Sequence, residues 1–216
     1  TEENSVLNYF KIQNESDSAF HISRLQVRQD RASSFNSFAF TYGGSLVRND
    51  LNAVLGGEYA EANLNGLYLA EGKRHIDNHT VIDHAVPHCN SNELYKGILD
   101  DKGRGVFNGK VVVRKDAQKT QAYQSNKNLL LSRNAKIDTK PQLEIFADDV
   151  KCSHGATVGQ LNEEAVFYLQ SRGVGIEAAQ SILINAFASD VTDLINIEQL
   201  KETVNEQILG KLHKVS

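Results

Sequence analysis

From Ala19 to about Val158, short apolar runs alternate with Gly, Asn and Asp, and very few helix signals interrupt them. Ser37 to Tyr42, Leu67 to Leu69, Val111 to Arg114, Leu129 to Ser132 and Leu143 to Phe146 are representative. Short apolar runs bounded by turn formers predict strands. The features recur loosely: Gly43-Gly44 and Gly56-Gly57 are 13 positions apart, Val112 and Leu130 are 18 apart, and Leu130 and Ile145 are 15 apart. A spacing of roughly 13 to 18 residues is too short for a helix-containing repeat and suits one turn of a β-solenoid, each coil supplying two or three short strands. A β-sandwich also uses many short strands, so the period favours the solenoid only modestly.

After Gly159 the pattern changes to helix. Asn162 is a ready N-cap ahead of Glu163 and Glu164, whose charges suit the positive end of a helix, and Gly173 supplies a stop. Two longer helices are predicted, Glu177 to about Ile195 and Glu198 to about His213. In the last, Leu200, Val204, Ile208 and Leu212 recur at four-residue steps, with Leu209 widening the stripe. These helices need a surface to cover. Part of it is expected to be the last coil of the solenoid, whose open end would expose unpaired strand edges and core side chains.

Composition narrows the classes. A chain of 216 residues that is 40% hydrophobic and 23% charged is globular, and a net charge of −4 gives no broad basic field for nucleic acid. No apolar run is long enough to span a bilayer, and the first residues lack the order of a secretory signal. Only Cys89 and Cys152 occur, too few for a disulfide-stapled secreted fold. The chain starts at Thr1 and has no methionine, which points to part of a longer product.

The chemistry concentrates in Lys151-Cys152-Ser153-His154-Gly155. On a strand, positions i and i+2 share a face, so Cys152 and His154 can present sulfur and nitrogen to one metal, cluster or partner. Two donors cannot close a site, so others must come from elsewhere in the fold or from another subunit. Read alone, Cys152 is a small buried hydrophobe and His154 a hydrogen-bonded core or interface histidine. A second collection, His75 to Cys89, is rich in donors but fits neither a paired-cysteine zinc element nor a helical histidine pair. It is read as polar ladders at tight turns in preference to a metal site. Gly103-Arg104-Gly105 lacks the residues of a phosphate loop and reads as a turn, and Asp148-Asp149 and Asp100-Asp101 read as solvated turns.

Long motif runs tie the chain to a known family. Thr139-Lys140-Pro141-Gln142-Leu143-Glu144-Ile145-Phe146, continuing through the Cys152/His154 segment to Ser171-Arg172-Gly173, resembles the SufB/SufD family of iron–sulfur cluster assembly subunits. Asn90-Ser91-Asn92-Glu93-Leu94-Tyr95-Lys96-Gly97 and Arg104-Gly105-Val106-Phe107-Asn108-Gly109-Lys110 match as well. Leu169, in a Phe-Tyr-Leu context, is closer to the SufD branch than to SufB, which tends to carry a cysteine there.

The resemblance implies a mainly β fold: a right-handed parallel β-helix over residues 1–159, then a small C-terminal α-helical domain over 160–216, with the family's N-terminal region absent. It implies a non-enzymatic scaffold in iron–sulfur cluster biogenesis. Such a subunit pairs with a SufB-like protein through the β-helix and docks a SufC-like ABC-type ATPase, which holds the ATPase activity, through the helical tail. His154 matches the histidine of the family motif and becomes the candidate contributor to nascent cluster assembly at the SufB interface, with Cys152 second. Phe167, Tyr168, Arg172 and Gly173 are the candidate contacts toward SufC. No cofactor is expected in the isolated chain, and a transient iron–sulfur cluster is expected in the complex. A homodimer is the alternative state of the isolated chain, neither nucleic acid nor membrane is an expected partner, and the expected place is the cytoplasm or an organelle matrix. Two rival readings are a polysaccharide-active β-helix enzyme, which needs convergent acids that the sequence does not assemble, and a purely structural heterodimer subunit without metal contact.

Overall fold

The computed structural model describes the backbone of residues 1–212 and the side chains of residues 1–210. The strands are β1 (Val6–Gln13), β2 (Phe20–Gln29), β3 (Ser34–Thr41), β4 (Leu46–Leu55), β5 (Glu61–Ala70), β6 (His75–His84), β7 (Asn90–Leu99), β8 (Arg104–Val113), β9 (Gln121–Leu130), β10 (Lys136–Ile145) and β11 (Lys151–Gly159). The helices α1 (Glu163–Ser171), α2 (Ile176–Thr192) and α3 (Glu198–Leu212) follow. Odd-numbered strands form one sheet in the order β1-β3-β5-β7-β9-β11, and even-numbered strands form a second in the order β10-β8-β6-β4-β2. All pairings are parallel, so the chain winds as the expected β-solenoid, one strand per sheet in each coil.

The coil is twice as long as the sequence spacing suggests. Phe20 aligns with Leu46 after 26 residues and Arg104 with Lys136 after 32, so the spacing of 13 to 18 marks successive strands, half a turn each. The chain alternates sheets at every strand, and residues half a coil apart face each other across the interior. The first strand also begins before Ala19, at Val6. Gly103 alone of its triplet is a turn, because Arg104 and Gly105 already belong to β8.

Strand parity sorts the side chains. Phe35, Leu64, Ile76, Ile82, Phe107 and Val111 point between the sheets and are fully buried. Two tyrosines there need notches. Gly66 is the ladder partner of Tyr95 and Gly97 that of Tyr68, and a Cβ on either glycine would lie 2.2 Å or 2.4 Å from the facing ring. The coil corners also repeat: Ala32, Tyr59, His88 and Lys119, each shortly before an odd-numbered strand, adopt φ of 52°, 63°, 61° and 62°. Asn162 caps α1 by accepting from the Ala165 amide, and Gly173 ends the helix region at φ 86°, as the sequence indicates.

The helices do not cover the last coil. α2 and α3 lie on the outer face of the odd-strand sheet, where Phe38, Phe40, Leu67, Leu69, Ile98 and Leu129 form one core with Ile184, Ala188, Val191, Val204 and Ile208, and α1 packs against α2. The reason is parity: these strand residues alternate with the inward ones and leave an apolar stripe on the outside of the sheet. Leu200 packs against the edge of this core, whereas Leu209 remains 38% exposed and does not widen the stripe. The Leu212 side chain and His213 lie outside the described residues.

A buried cation fixes α2 to that face. Lys96 points outward from β7, is 2% exposed, and its Nζ donates to Asp190 Oδ2 and to the Phe187 carbonyl, both at 2.5 Å. Burial pulls the ammonium pKa down, while Asp190 opposes the shift. Lys96→Ala removes the charge-assisted bond to Asp190 and the second donor to the Phe187 carbonyl. A loss of about 2 kcal/mol in chemical denaturation is expected. A change below about 0.5 kcal/mol would show that the apolar contacts alone hold the helix.

Candidate functional site

β11 is the end of its sheet, pairing with β9 on one side only. Except for Cys152, which is half-buried, every residue of the strand is exposed. Such a row of free backbone groups invites another strand, and proteins usually blunt it with charge, proline or a bulge. The neighbouring end strand β10 does so, carrying Lys136, Asp138, Lys140, Pro141 and Glu144. β11 holds one charged residue, Lys151, at its start. The last coil therefore has one protected edge and one open edge.

Cys152 and His154 occupy that open edge and share a face. Cys152 aligns with Ala122 and His154 with Gln124, both of which point into the solenoid interior. The two candidate donors thus look into the open end of the interior. Cys152 packs against the inner apolar core, and this burial raises its thiol pKa, so a proton must leave before the sulfur can bind metal. Both cysteines are free. Among the described residues no three of His, Cys, Asp and Glu gather to hold a metal ion.

Below His154 runs a buried polar column that sequence reading passed over. Glu93, Gln124 and His154 are ladder partners on β7, β9 and β11. Gln124 Nε2 donates to Glu93 Oε2 at 2.7 Å, deep in the interior, where Glu93 is 2% and Gln124 3% exposed. Burial pushes the Glu93 carboxyl up to about 7 against the hydrogen bonds that favour its charged form. One coil corner away, His84 Nε2 lies 2.8 Å from Ser91 Oγ, and burial lowers the His84 pKa to about 4. The available signal was alternation: Glu93, Tyr95 and Gly97 take the inward positions of a strand whose motif was read only as a likeness.

The His75 to Cys89 donors disperse. His75, His79 and Asp83 face out of β6, while Ile76, Ile82 and His84 face in. Outside, Asp77 pairs with Arg48 at 3.0 Å and His79 at 2.9 Å, and Asp83 with Arg114 at 2.6 Å. Arg48–Asp77 and Arg114–Asp83 are side-chain pairs from rung to rung and His79–Asp77 is a pair within β6, so these groups brace the strands and do not satisfy turn backbone as the sequence reading expects. His88 and Cys89 sit at a corner, His88 stacked on Tyr59 and the buried Cys89 thiol donating to the Gly57 carbonyl. Asp149, in its loop, pairs with Lys119 as a solvated acid would.

Of the expected partner contacts, Phe167 and Tyr168 lie on α1, which contributes no buried residue, while Arg172 is its C-cap and Gly173 follows. Phe167 is 72% and Tyr168 57% exposed, with the Arg172 guanidinium 5.0 Å above the Tyr168 ring. No helix among the described residues is long and apolar enough to cross a membrane.

Comparison with known proteins follows the same lines. The family described as SUF system FeS cluster assembly, SufBD core domain, matches residues 1–187. Iron-sulfur cluster assembly protein SufD of Escherichia coli (strain K12) is 40% identical over 209 residues, covering 97% of this chain and 49% of that protein. Iron-sulfur cluster assembly SufBD family protein slr0076 of Synechocystis is 39% identical, covering 92% and 44%. Protein ABCI7, chloroplastic, of Arabidopsis thaliana is 33% identical, covering 98% and 45%. The chain spans about half the length of the curated relatives it matches.

Proposed function

The chain belongs to the SufBD family of iron–sulfur cluster assembly proteins, and on that premise we propose that it is a SufD-type, non-enzymatic scaffold on which nascent clusters form in a complex. The observation that carries the reading is the unprotected edge of β11, which bears His154 and Cys152 on its inner face. A SufB-like subunit adds its own edge to β11 and supplies the donors that this chain lacks, so that the cluster is a shared and transient cargo. In isolation, two copies can join through the same edge as a homodimer.

A SufC-like ATPase docks on α1 through Phe167, Tyr168 and Arg172, with Gly173 fixing the turn that follows. Nucleotide hydrolysis belongs to that partner. Cytoplasm or an organelle matrix is the compartment consistent with this role. The polysaccharide-enzyme alternative is disfavoured by how the outward acids are used: Asp77, Asp83, Asp138 and Glu144 are each paired with a base.

His154→Ala, assembled with SufB-like and SufC-like partners, is expected to lower bound iron and acid-labile sulfide by about tenfold or more, as loss of a metal ligand's environment commonly does. The heterodimer should still form. Cluster content equal to wild type would leave the purely structural subunit as the surviving reading.

A further inference from the structure

The column under His154 ends in an unsatisfied acceptor. Gln124 spends one amide hydrogen on Glu93 Oε2, which turns its Oε1 away from the carboxylate. That oxygen is buried and has no hydrogen-bond partner among the described residues. An unpaired buried carbonyl oxygen is costly enough that a donor is expected nearby. The next rung of the column, on the open side, is His154, whose neutral imidazole offers one N–H.

We propose that Gln124 is a positioning residue for His154: anchored by Glu93, it accepts an imidazole N–H through Oε1 and thereby selects the tautomer whose free nitrogen faces the open edge. The role matters only if His154 serves the cargo as read above, and it follows a general logic in which the group behind a metal-binding histidine sets ring orientation and basicity. Gln124 suits the task because its donor side is already committed. A carboxamide free to turn over would present N–H as readily as oxygen and would select neither tautomer.

The test is ring-nitrogen NMR on the full chain with 15N-histidine at about pH 8, where Glu93 is charged, the His154 signals being assigned by their loss in His154→Ala. Wild type is expected to hold one tautomer in about tenfold excess, the factor that one hydrogen bond supplies. Gln124→Met, similar in shape but without an acceptor, should bring the ratio near unity. Glu93→Gln, which frees the Gln124 amide to turn over, should erode it from two rungs away. Mixed tautomers in wild type, or a ratio unchanged in the variants, would overturn the assignment. Should Gln124→Met fail to fold, Glu93→Gln decides alone. Cluster formation by His154→Ala is scored separately, so that failure of the scaffold reading is distinguishable from failure of the positioning role.

Discussion

Gly97→Ala is expected to destabilise the solenoid by about 3 kcal/mol or more, the upper range for forcing atoms into a packed core. The new methyl carbon would lie 2.4 Å from Tyr68 Cζ, 2.5 Å from its oxygen and 2.6 Å from Asn128 Oδ1. Tyr68 has no room to retreat. It is 1% exposed, and its hydroxyl donates to Asn128 Oδ1 at 2.5 Å, so relief of the clash breaks a buried hydrogen bond. Urea denaturation should show a lower midpoint with the slope retained. A double-mutant cycle with Tyr68→Leu adds a second check: with the ring gone, alanine at position 97 should cost much less. A loss below about 1 kcal/mol in the single variant would mean that neighbouring coils shift more easily than this packing implies.

The second large effect is a pH dependence of opposite signs from two buried groups. The folded state holds the Glu93 proton up to about 7, against 4.5 for a free carboxyl. Glu93 therefore contributes stability that is fully present below about pH 4.5 and lost as pH rises through 7, about 3 kcal/mol in all. His84 runs the other way. Its pKa falls from 6.5 to about 4, so its contribution is present above pH 6.5 and lost as pH drops toward 4. In wild type the two slopes offset each other across the acid range. Glu93→Gln removes one, so its stability relative to wild type should rise by about 3 kcal/mol between pH 4.5 and 8. Denaturation midpoints at those two pH values measure it, and a constant difference would show that the carboxyl is ionised throughout.

Much of this architecture is legible before folding, but unevenly. Apolar halves of strands, such as Leu67 to Leu69 and Leu143 to Phe146, announce themselves, and capping chemistry locates α1 between Asn162 and Gly173. Polar halves do not. Asn90 to Glu93 and Gln121 to Asn126 resemble loop, since hydropathy cannot tell a hydrogen-bonded interior column from solvent. The same blindness doubles the apparent number of coils, because two strands on opposite sheets look alike in sequence. Cys152 and His154 share a face by simple parity, yet parity alone does not say whether that face is inside or outside; the pairing with Ala122 and Gln124 does. Lys96 was least legible. A lysine on an outward position is ordinarily solvated, and only the helix laid over it by residues 91 and 94 positions later makes it a buried pin.

The placement of α2 across β5 and β7 gives the molecule a definite mechanical grain. A tug on the tail enters the stack sideways, near its middle, and loads several rungs together through Lys96 and the apolar seam. Such a load is resisted in shear by many backbone bonds at once. The terminal strand lies two strands away from β7 and joins the tail through the short link after Gly159. The outermost strand, held along its length by β9, is thus the part of the stack that such a load disturbs least.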